Sequence, residues 1–148
     1  SLSGSFTQRV FGDELFLASF RTAFANELDA ENQILLGGDN DLRGYPLRYQ
    51  SGEKSALLSF EQRFYTDWYP FRLIRVGYAF FFDAGRVWDD DPRGTPNTGT
   101  LYDVGVGLRL TSPRSSGRSV VHIDLAFPIN APADIDDVQL VLEKKASF

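Results

Sequence analysis

Apolar and polar residues alternate with a period of two along residues 73–88. The even positions carry Val76, Tyr78 and Phe80 among other apolar side chains, whereas the odd positions carry Arg75, Asp83, glycines and small residues. Successive side chains of a β-strand point to opposite faces. The pattern therefore predicts a strand with one apolar face and one face of mixed charge.

The same alternation predicts six further strands. They cover residues 2–11, 15–26, 55–65, 101–112, 119–129 and 138–148. Most of these stretches have about ten residues or more, whereas strands of globular proteins average roughly 5–6 and strands that cross a membrane need about 9–11. The lengths therefore favour an antiparallel transmembrane β-barrel, an all-β fold.

The residues on the polar face distinguish a transmembrane barrel from a soluble barrel. A soluble, small-ligand-binding β-barrel of similar chain length would turn its apolar face inward and carry solvated Lys, Glu, Ser and Thr outside. Here the polar face combines glycine with opposite charges such as Arg75, Asp83, Asp103 and Arg109. Glycine and paired charges suit a crowded, hydrated lumen, and large aromatic residues near strand ends suit a membrane interface. We therefore expect the even-numbered residues from Ala56 to Leu110 to face lipid.

Composition excludes several other classes of protein. The 148 residues suffice for one domain, and the 13 Phe and 13 Gly favour β structure. A net charge of −5, with dispersed basic residues, disfavours nucleic acid as a partner. Without cysteine there is no disulfide, thiolate nucleophile or cysteine-bound zinc. The single histidine, His122, falls on a polar strand face and is expected to be a lumen residue rather than a ligand or base.

No cofactor, metal or catalytic site is predicted. The acidic stretch that begins at Asp39 has Gln50 at the position where a calcium-binding loop carries glutamate. Gly105 and Gly107 lie within a predicted strand and are not followed by a helix, so they do not form a phosphate-binding loop. The chain is expected not to be an enzyme.

The connections differ in length. Segments 26–54 and 89–100 are long and polar, whereas 66–72 and 112–118 are short. Outer-membrane barrels have short periplasmic turns and longer outer loops. The long segments are therefore expected outside the cell and the short ones in the periplasm, with the 130–137 outer loop being short.

The last predicted strand carries Leu140 and Leu142 on one face, and the chain ends at Phe148. A final amphipathic strand that ends in Phe is typical of the assembly signal of outer-membrane barrels. Lys144 departs from this apolar pattern, but near the interface its ammonium group can reach water. Because the chain starts at Ser1 and has no Met, we expect it to be a fragment or a processed product.

Residues 37–46 carry a more specific motif. Two glycines are followed after a short spacer by a hydrophobic residue, Arg-Gly and an aromatic residue: Gly37, Gly38, Leu42, Arg43, Gly44 and Tyr45. This order resembles the signature loop of the bacterial surface antigen family, the BamA–TamA superfamily of outer-membrane barrels. Segments 59–61, 81–88, 105–113 and 124–128 resemble later strands of that family in the same order, so the likeness extends over residues 35–148.

The resemblance implies a sixteen-stranded barrel, of which this chain would supply about the last seven strands. It implies that the long loop 26–54 enters the lumen, where Arg43 pairs with Asp83 and with Glu61 on the inner wall. Both acids lie on the face that alternation independently makes polar. An arginine taken into a narrow lumen needs a carboxylate partner. Preceding strands and periplasmic domains upstream of residue 1 are also implied.

The family likeness predicts that the parent protein inserts outer-membrane proteins or translocates a polypeptide. Its partners would then be outer-membrane lipid and unfolded outer-membrane or secreted polypeptides. Two alternatives stay open from the sequence. The barrel is a membrane anchor or pore for a separate N-terminal domain such as an enzyme, or it is the soluble ligand-binding barrel considered above.

Overall fold

A seven-stranded antiparallel sheet makes up most of the chain in a computed structural model. The structure describes residues 2–9, 12–24, 34–38, 41–88, 99–112, 119–129, 131 and 135–146. The sheet contains β1 (Leu2–Arg9), β2 (Glu14–Phe24), β5 (Lys54–Tyr65), β6 (Arg75–Trp88), β7 (Leu101–Thr111), β8 (Ser119–Ile129) and β9 (Gln139–Ala146). A separate ribbon pairs β3 (Ile34–Leu36) with β4 (Gln50–Gly52).

The strand order is β1-β2-β5-β6-β7-β8-β9. Strands of the large sheet that follow one another along the chain are therefore neighbours in the sheet. All neighbours are antiparallel, as the short turns between several of them require. Among the described residues the sheet is not closed, because β1 and β9 each pair along one edge. The prediction of an all-β, antiparallel portion of a barrel is confirmed.

Burial follows the period of two that the sequence predicted. On β6, Tyr78 and Phe80 are exposed, whereas Ala79, Phe81 and Asp83 are buried. We call the side with the exposed even-numbered residues of β5, β6 and β7 the apolar face, and the opposite side the polar face. No helix within the described residues is long and apolar enough to cross a membrane.

Several strand boundaries differ from the sequence prediction by one or two residues; for example, β2 begins at Glu14, β5 begins at Lys54 and β7 ends at Thr111. The strand expected from residue 73 begins at Arg75, because Pro70–Arg72 form a 3-10 turn in which the Leu73 N–H donates to the Pro70 carbonyl. The strand expected from residue 138 begins at Gln139. Proline fixes its backbone φ angle near a helical value, which favours such a turn over an extended strand.

The sequence predicted no strand within the long loop over residues 26–54, but short strands are present there. The loop contains the β3–β4 ribbon, and β5 begins at Lys54. The segments are too short to show a clear alternation, and their pairing depends on residues far apart in the chain. Residues 26–33, 39 and 40 of this loop lie outside the described residues, and with them the start of the acidic stretch considered for calcium.

The hydrophobic core lies between this loop and the polar face of the sheet. Leu42 and Tyr45 of the loop pack with Leu36 of the ribbon and with side chains from several strands and the last connection: Leu57, Val87, Leu101 and Ile135. An added Cβ at Gly85 would come within 2.9 Å of Leu36 and 3.1 Å of Leu42. The missing side chain at Gly85 thus lets the loop approach the strand closely, and the core fixes the position of the loop's polar residues.

Candidate functional site

Gly37 and Gly38 allow the loop to turn back on itself. Their φ angles are +119° and +104°, a region that side chains with a Cβ rarely adopt. Hydrogen bonds close the turn: the Gly38 N–H donates to the Leu42 carbonyl at 3.1 Å, and the Arg48 N–H donates to the Gly37 carbonyl at 3.4 Å. The turn directs residues 41–45, which we call the loop tip, toward the polar face.

Arg43 is the central cation of the loop tip. Its Nε donates to Oδ2 of Asp83 at 2.7 Å and its Nη2 donates to Oδ1 of the same carboxylate at 3.0 Å, which is a bidentate pair. Its Nη1 donates to Glu61 Oε2 at 2.8 Å and to Asp124 Oδ2 at 3.3 Å. One guanidinium group therefore contacts side chains of three strands, β5, β6 and β8.

An aromatic ring completes the environment of Arg43. The Cζ atom lies 3.4 Å from the ring centroid of Phe81, a cation–π contact with a buried ring. Burial by itself lowers the pKa of the Arg43 guanidinium, but hydrogen bonds and attraction from Asp83 and Glu61 outweigh that effect. The pKa of Arg43 therefore lies above the ordinary arginine value, and the side chain stays charged.

A second guanidinium group contacts two of the three carboxylates that Arg43 contacts. Arg109 of β7 is fully buried, and its Nε and Nη2 donate to Glu61 Oε1 at 3.0 and 2.8 Å. Its Nη1 also donates to Asp124 Oδ1. Gly107 provides the space for this contact, because an added Cβ there would overlap the Asp124 carboxylate and lie 2.7 Å from Arg109 Nη1.

The two residues after Arg43 contact β7 and β8. The Gly44 N–H donates to Asp103 Oδ2 at 3.0 Å, and an added Cβ at Gly44 would lie 2.6 Å from the Asp103 Cβ. The Tyr45 hydroxyl lies 3.2 Å from the Tyr102 carbonyl and 3.0 Å from the Ile129 carbonyl. Burial raises the pKa of Tyr45, so this hydroxyl remains a donor at neutral pH.

The first residue of the loop tip contacts β2. Arg21 Nη1 donates to Asp41 Oδ1 at 2.6 Å, and Arg21 is about half exposed. The two side chains belong to the wall of a cleft of about 480 Å³ between β1, β2, β5 and the loop tip. Five consecutive strands of the sheet, from β2 to β8, thus each contact one or more of residues 41–45.

The predicted site residues fall into three groups. Arg43, Asp83 and Glu61 are in direct contact, and Leu42, Gly44 and Tyr45 are buried against the sheet beside them. Leu140 and Leu142 are each about 70% exposed and lie on the apolar side of the sheet, opposite Leu125 and Ile123, whereas the loop tip lies on the other side. Phe148, the last residue of the predicted assembly signal, lies outside the described residues.

Sequence reasoning did not assign site roles to Asp124, Asp103, Arg109 or Phe81. All four stood at positions that alternation placed on the polar face. That pattern marked them as facing inward, but their partners depend on strand register. Asp83 lies directly opposite Asp103, and Gly107 lies opposite Asp124. The charged residues at polar-face positions are a sequence signal that would have included Asp103, Arg109 and Asp124, but not Phe81.

Comparisons with known proteins agree on one family. The family model described as the Omp85 superfamily domain matches residues 7–143. The protein named "Outer membrane transporter CdiB" from Escherichia coli O6:K15:H31 (strain 536 / UPEC) is 30% identical over 133 residues, and a protein of the same name from Escherichia coli is 30% identical over 134. Each alignment covers 86% of this chain and 22% of the relative, so the chain spans about a fifth of the relatives' length. No solved structure matches.

Proposed function

This chain belongs to the Omp85 superfamily, and from that premise we propose that its parent protein translocates a polypeptide across the outer membrane. The family and the CdiB relatives indicate a bacterial outer-membrane location, which agrees with the all-β fold. At the level of the family, such barrels translocate or insert polypeptides. Translocation is the narrower proposal, and the name of both relatives, outer membrane transporter, favours it.

The observation that carries the proposal is the attachment of the loop tip to the polar face. Arg43 lies among three carboxylates on three strands, and its contacts are ion pairs and hydrogen bonds. Such contacts have a discrete, directional geometry, so they hold the loop in one position and release it when they break together. We propose that the loop tip regulates passage along the polar face, with Arg43, Asp83 and Glu61 as its main attachment.

The edges of the sheet supply a second element of the mechanism. Among the described residues, β1 and β9 each have one paired edge and one free edge. An imperfectly paired strand edge is a template to which an incoming strand can add. We propose that β9 forms one side of a seam in the complete barrel and that Leu140, Leu142 and Phe148 mark this strand for assembly. The sixteen-stranded barrel and its periplasmic domains are part of the same proposal.

Comparative proteomics of the native cells tests the transport role even when the client is unidentified. The gene is deleted and then restored, and the culture medium, periplasm and outer membrane are compared quantitatively. Translocation predicts that one or a few polypeptides disappear from the medium or cell surface and reappear on restoration. A general loss of outer-membrane proteins would indicate insertion instead, and unchanged proteomes would contradict both roles and indicate an anchor or pore.

Charge reversal at the loop tip tests the proposed attachment in the same cells. Arg43→Glu places a fourth acid among Glu61, Asp83 and Asp124. We therefore expect that the gene with this change does not restore transport to the deletion strain, although the protein still reaches the outer membrane. Adding Asp83→Arg should recover part of the function, because the reversed pair attracts again. Arg48→Glu, the same change at an exposed position of the same loop, is the control. Full function of the Arg43→Glu protein would contradict the role of the loop tip.

A further inference from the structure

Asp103 differs from the other buried acids of the polar face, because no described hydrogen bond or ion pair joins it to a cation. Its side chain is fully buried on β7. Its Oδ2 accepts the Gly44 N–H at 3.0 Å, but its Oδ1 is buried and has no hydrogen-bond donor among the described residues. An ionised carboxylate that leaves water without gaining a cation is costly in free energy. The surroundings of Asp103 therefore disfavour its ionised form.

The residue directly opposite Asp103 is another acid. Asp83 of β6 faces it across the two strands, and the Asp83 side chain is also fully buried. Side chains directly opposite each other on antiparallel strands have Cβ atoms about 4.5–5.5 Å apart. The two carboxyl groups are therefore adjacent. Asp83 is the charged member of this pair, because the Arg43 guanidinium group donates to both of its oxygens.

The arginines of the site contact the other acids. Arg43 contacts three carboxylates, and Arg109 contacts two of the same three. Arg63 contacts Glu61, which is one of these two. In the part of the chain that the structure describes, three arginines thus face four carboxyl groups, those of Glu61, Asp83, Asp103 and Asp124. The carboxyl group without an arginine is that of Asp103.

The elements packed against Asp103 bring three titratable groups toward it. β6 contributes Asp83, and the loop tip contributes Arg43 and the Tyr45 hydroxyl, whereas β8 has Pro128 opposite Asp103. The donors of Arg43 are directed to other carboxylates, and the Tyr45 hydroxyl is directed to backbone carbonyl groups. None of the three therefore neutralises Asp103 by direct contact.

The loop tip covers the pair of acids in the closed position, in which it contacts the polar face. Gly44 lies so close that an added Cβ would be 2.6 Å from the Asp103 Cβ. Two adjacent carboxyl groups that are shielded from water cannot both ionise without a large cost in free energy, so one of them holds a proton. A protonated Asp103 has a hydroxyl donor, and the carboxylate of Asp83 is an acceptor for it.

We propose that Asp103 carries a proton on Oδ1 while the loop tip is closed, donates it in a hydrogen bond to Asp83, and releases it when the loop tip opens. The neutral Asp103 positions the loop tip through the Gly44 N–H without placing a second negative charge beside Asp83. Opening admits water to both acids, and Asp103 then ionises as a solvated aspartic acid does. The Asp103 O–H bond breaks, and its proton passes to water.

Opening of the loop tip is thereby linked to pH. The closed position binds one proton more than the open position, so opening becomes more favourable as the pH rises. A difference of one proton changes the open population about tenfold per pH unit, at pH values above the ordinary ionisation of aspartate near pH 4. This inference rests on the proposed release of the loop tip and is independent of the transport role.

Infrared difference spectroscopy of the full-length protein in lipid nanodiscs detects the proton directly, because a protonated carboxyl group has a C=O stretching band that a carboxylate lacks. Asp103→Asn keeps the size of the side chain and an acceptor for the Gly44 N–H, and it should remove one such band at neutral pH. Asp13→Asn, the same substitution at an exposed aspartate that pairs with Arg75, should remove none. Raising the pH of the unchanged protein should remove the Asp103 band as well. A spectrum in this region that is identical with and without Asp103→Asn would overturn the proposal.

Amide hydrogen exchange of Gly44, corrected at each pH for the intrinsic exchange rate, measures release of the proton on opening. Between about pH 6 and 7 the open population of the unchanged protein should rise about tenfold, and that of Asp13→Asn should rise equally. Asp103→Asn should show no rise, since it has no proton to release. A tenfold rise in Asp103→Asn, or none in the unchanged protein, would contradict the proposed release. Neither measurement needs a client, so failure of the transport role is detected separately by the proteomic comparison.

Discussion

Replacement of Arg43 by Met should release the loop tip from the polar face. The substitution keeps much of the side chain's length and removes the guanidinium group that contacts Asp83, Glu61 and Asp124. Removing one partner of a buried ion pair costs about 3–5 kcal/mol, because the other charge stays buried without compensation. The size of the loss therefore depends on which carboxylates keep a cation.

Arg109 reduces the expected loss. It still contacts Glu61 and Asp124 in the Arg43→Met protein, so these two carboxylates remain paired. Asp83 retains the Ser59 hydroxyl as a donor but has no other described ion pair. The penalty falls mainly on Asp83, which favours the lower end of the range, about 3 kcal/mol. Because about 1.4 kcal/mol corresponds to a factor of ten, the open population of the loop tip should rise about a hundredfold.

Amide hydrogen exchange of the full-length protein in lipid nanodiscs measures this opening. The amide of Gly44 is the reporter, since it donates to Asp103 in the closed position. Its exchange should accelerate about a hundredfold in Arg43→Met, and adding Asp83→Asn should recover part of the protection by removing the unpaired charge. Arg48→Met, the same change at an exposed residue of the same loop, should leave exchange unchanged. Exchange of Gly44 within threefold of the unchanged protein would refute the ion-pair reasoning.

Three further substitutions probe the contacts around the loop tip. Gly107→Ala should lower the free energy of unfolding in urea by about 1–3 kcal/mol, because the added methyl group overlaps the Asp124 carboxylate. An unchanged free energy of unfolding would mean that β7 and β8 separate easily at this point. Tyr45→Phe should increase loop exchange about two- to twelvefold, the effect of losing a hydrogen bond of about 0.5–1.5 kcal/mol. Arg109→Met should destabilise the fold by about 3 kcal/mol, the lower end of the range for a broken buried ion pair, because Arg43 still contacts Glu61 and Asp124. A smaller thermal shift than that of Tyr45→Phe would contradict this ranking.

The alternation of residues was sufficient to predict the strands and their faces. Side chains of a strand alternate whatever its partners are, so Tyr78, Phe80 and Asp83 could be assigned to faces from the sequence. The prediction was weaker at strand ends, where the Pro70–Arg72 turn shortens β6. The β3–β4 ribbon was missed, because each segment is three residues long and is stabilised by packing of Leu36 against distant residues.

The candidate site was predicted through the family likeness more than through local pattern. The likeness named Arg43, Asp83 and Glu61, and in the structure these three side chains are in contact. It did not supply the second guanidinium group of Arg109 or the aromatic contact with Phe81. Those residues lie 66 and 38 positions after Arg43 in the chain, and no spacing rule relates a loop residue to positions on other strands.

The sequence by itself thus determined which residues form strands, which face of each is apolar, and which charges lie on the opposite face. Only the tertiary structure decided which of those charges meet, because a period of two defines a face but not a register between strands. The same limit applies to Asp83 and Asp103, which are 20 residues apart and become neighbours through the pairing of β6 with β7. Contacts between charges depend on distances of a few ångströms, and those distances are set by strand pairing and by the packing of the loop against the sheet.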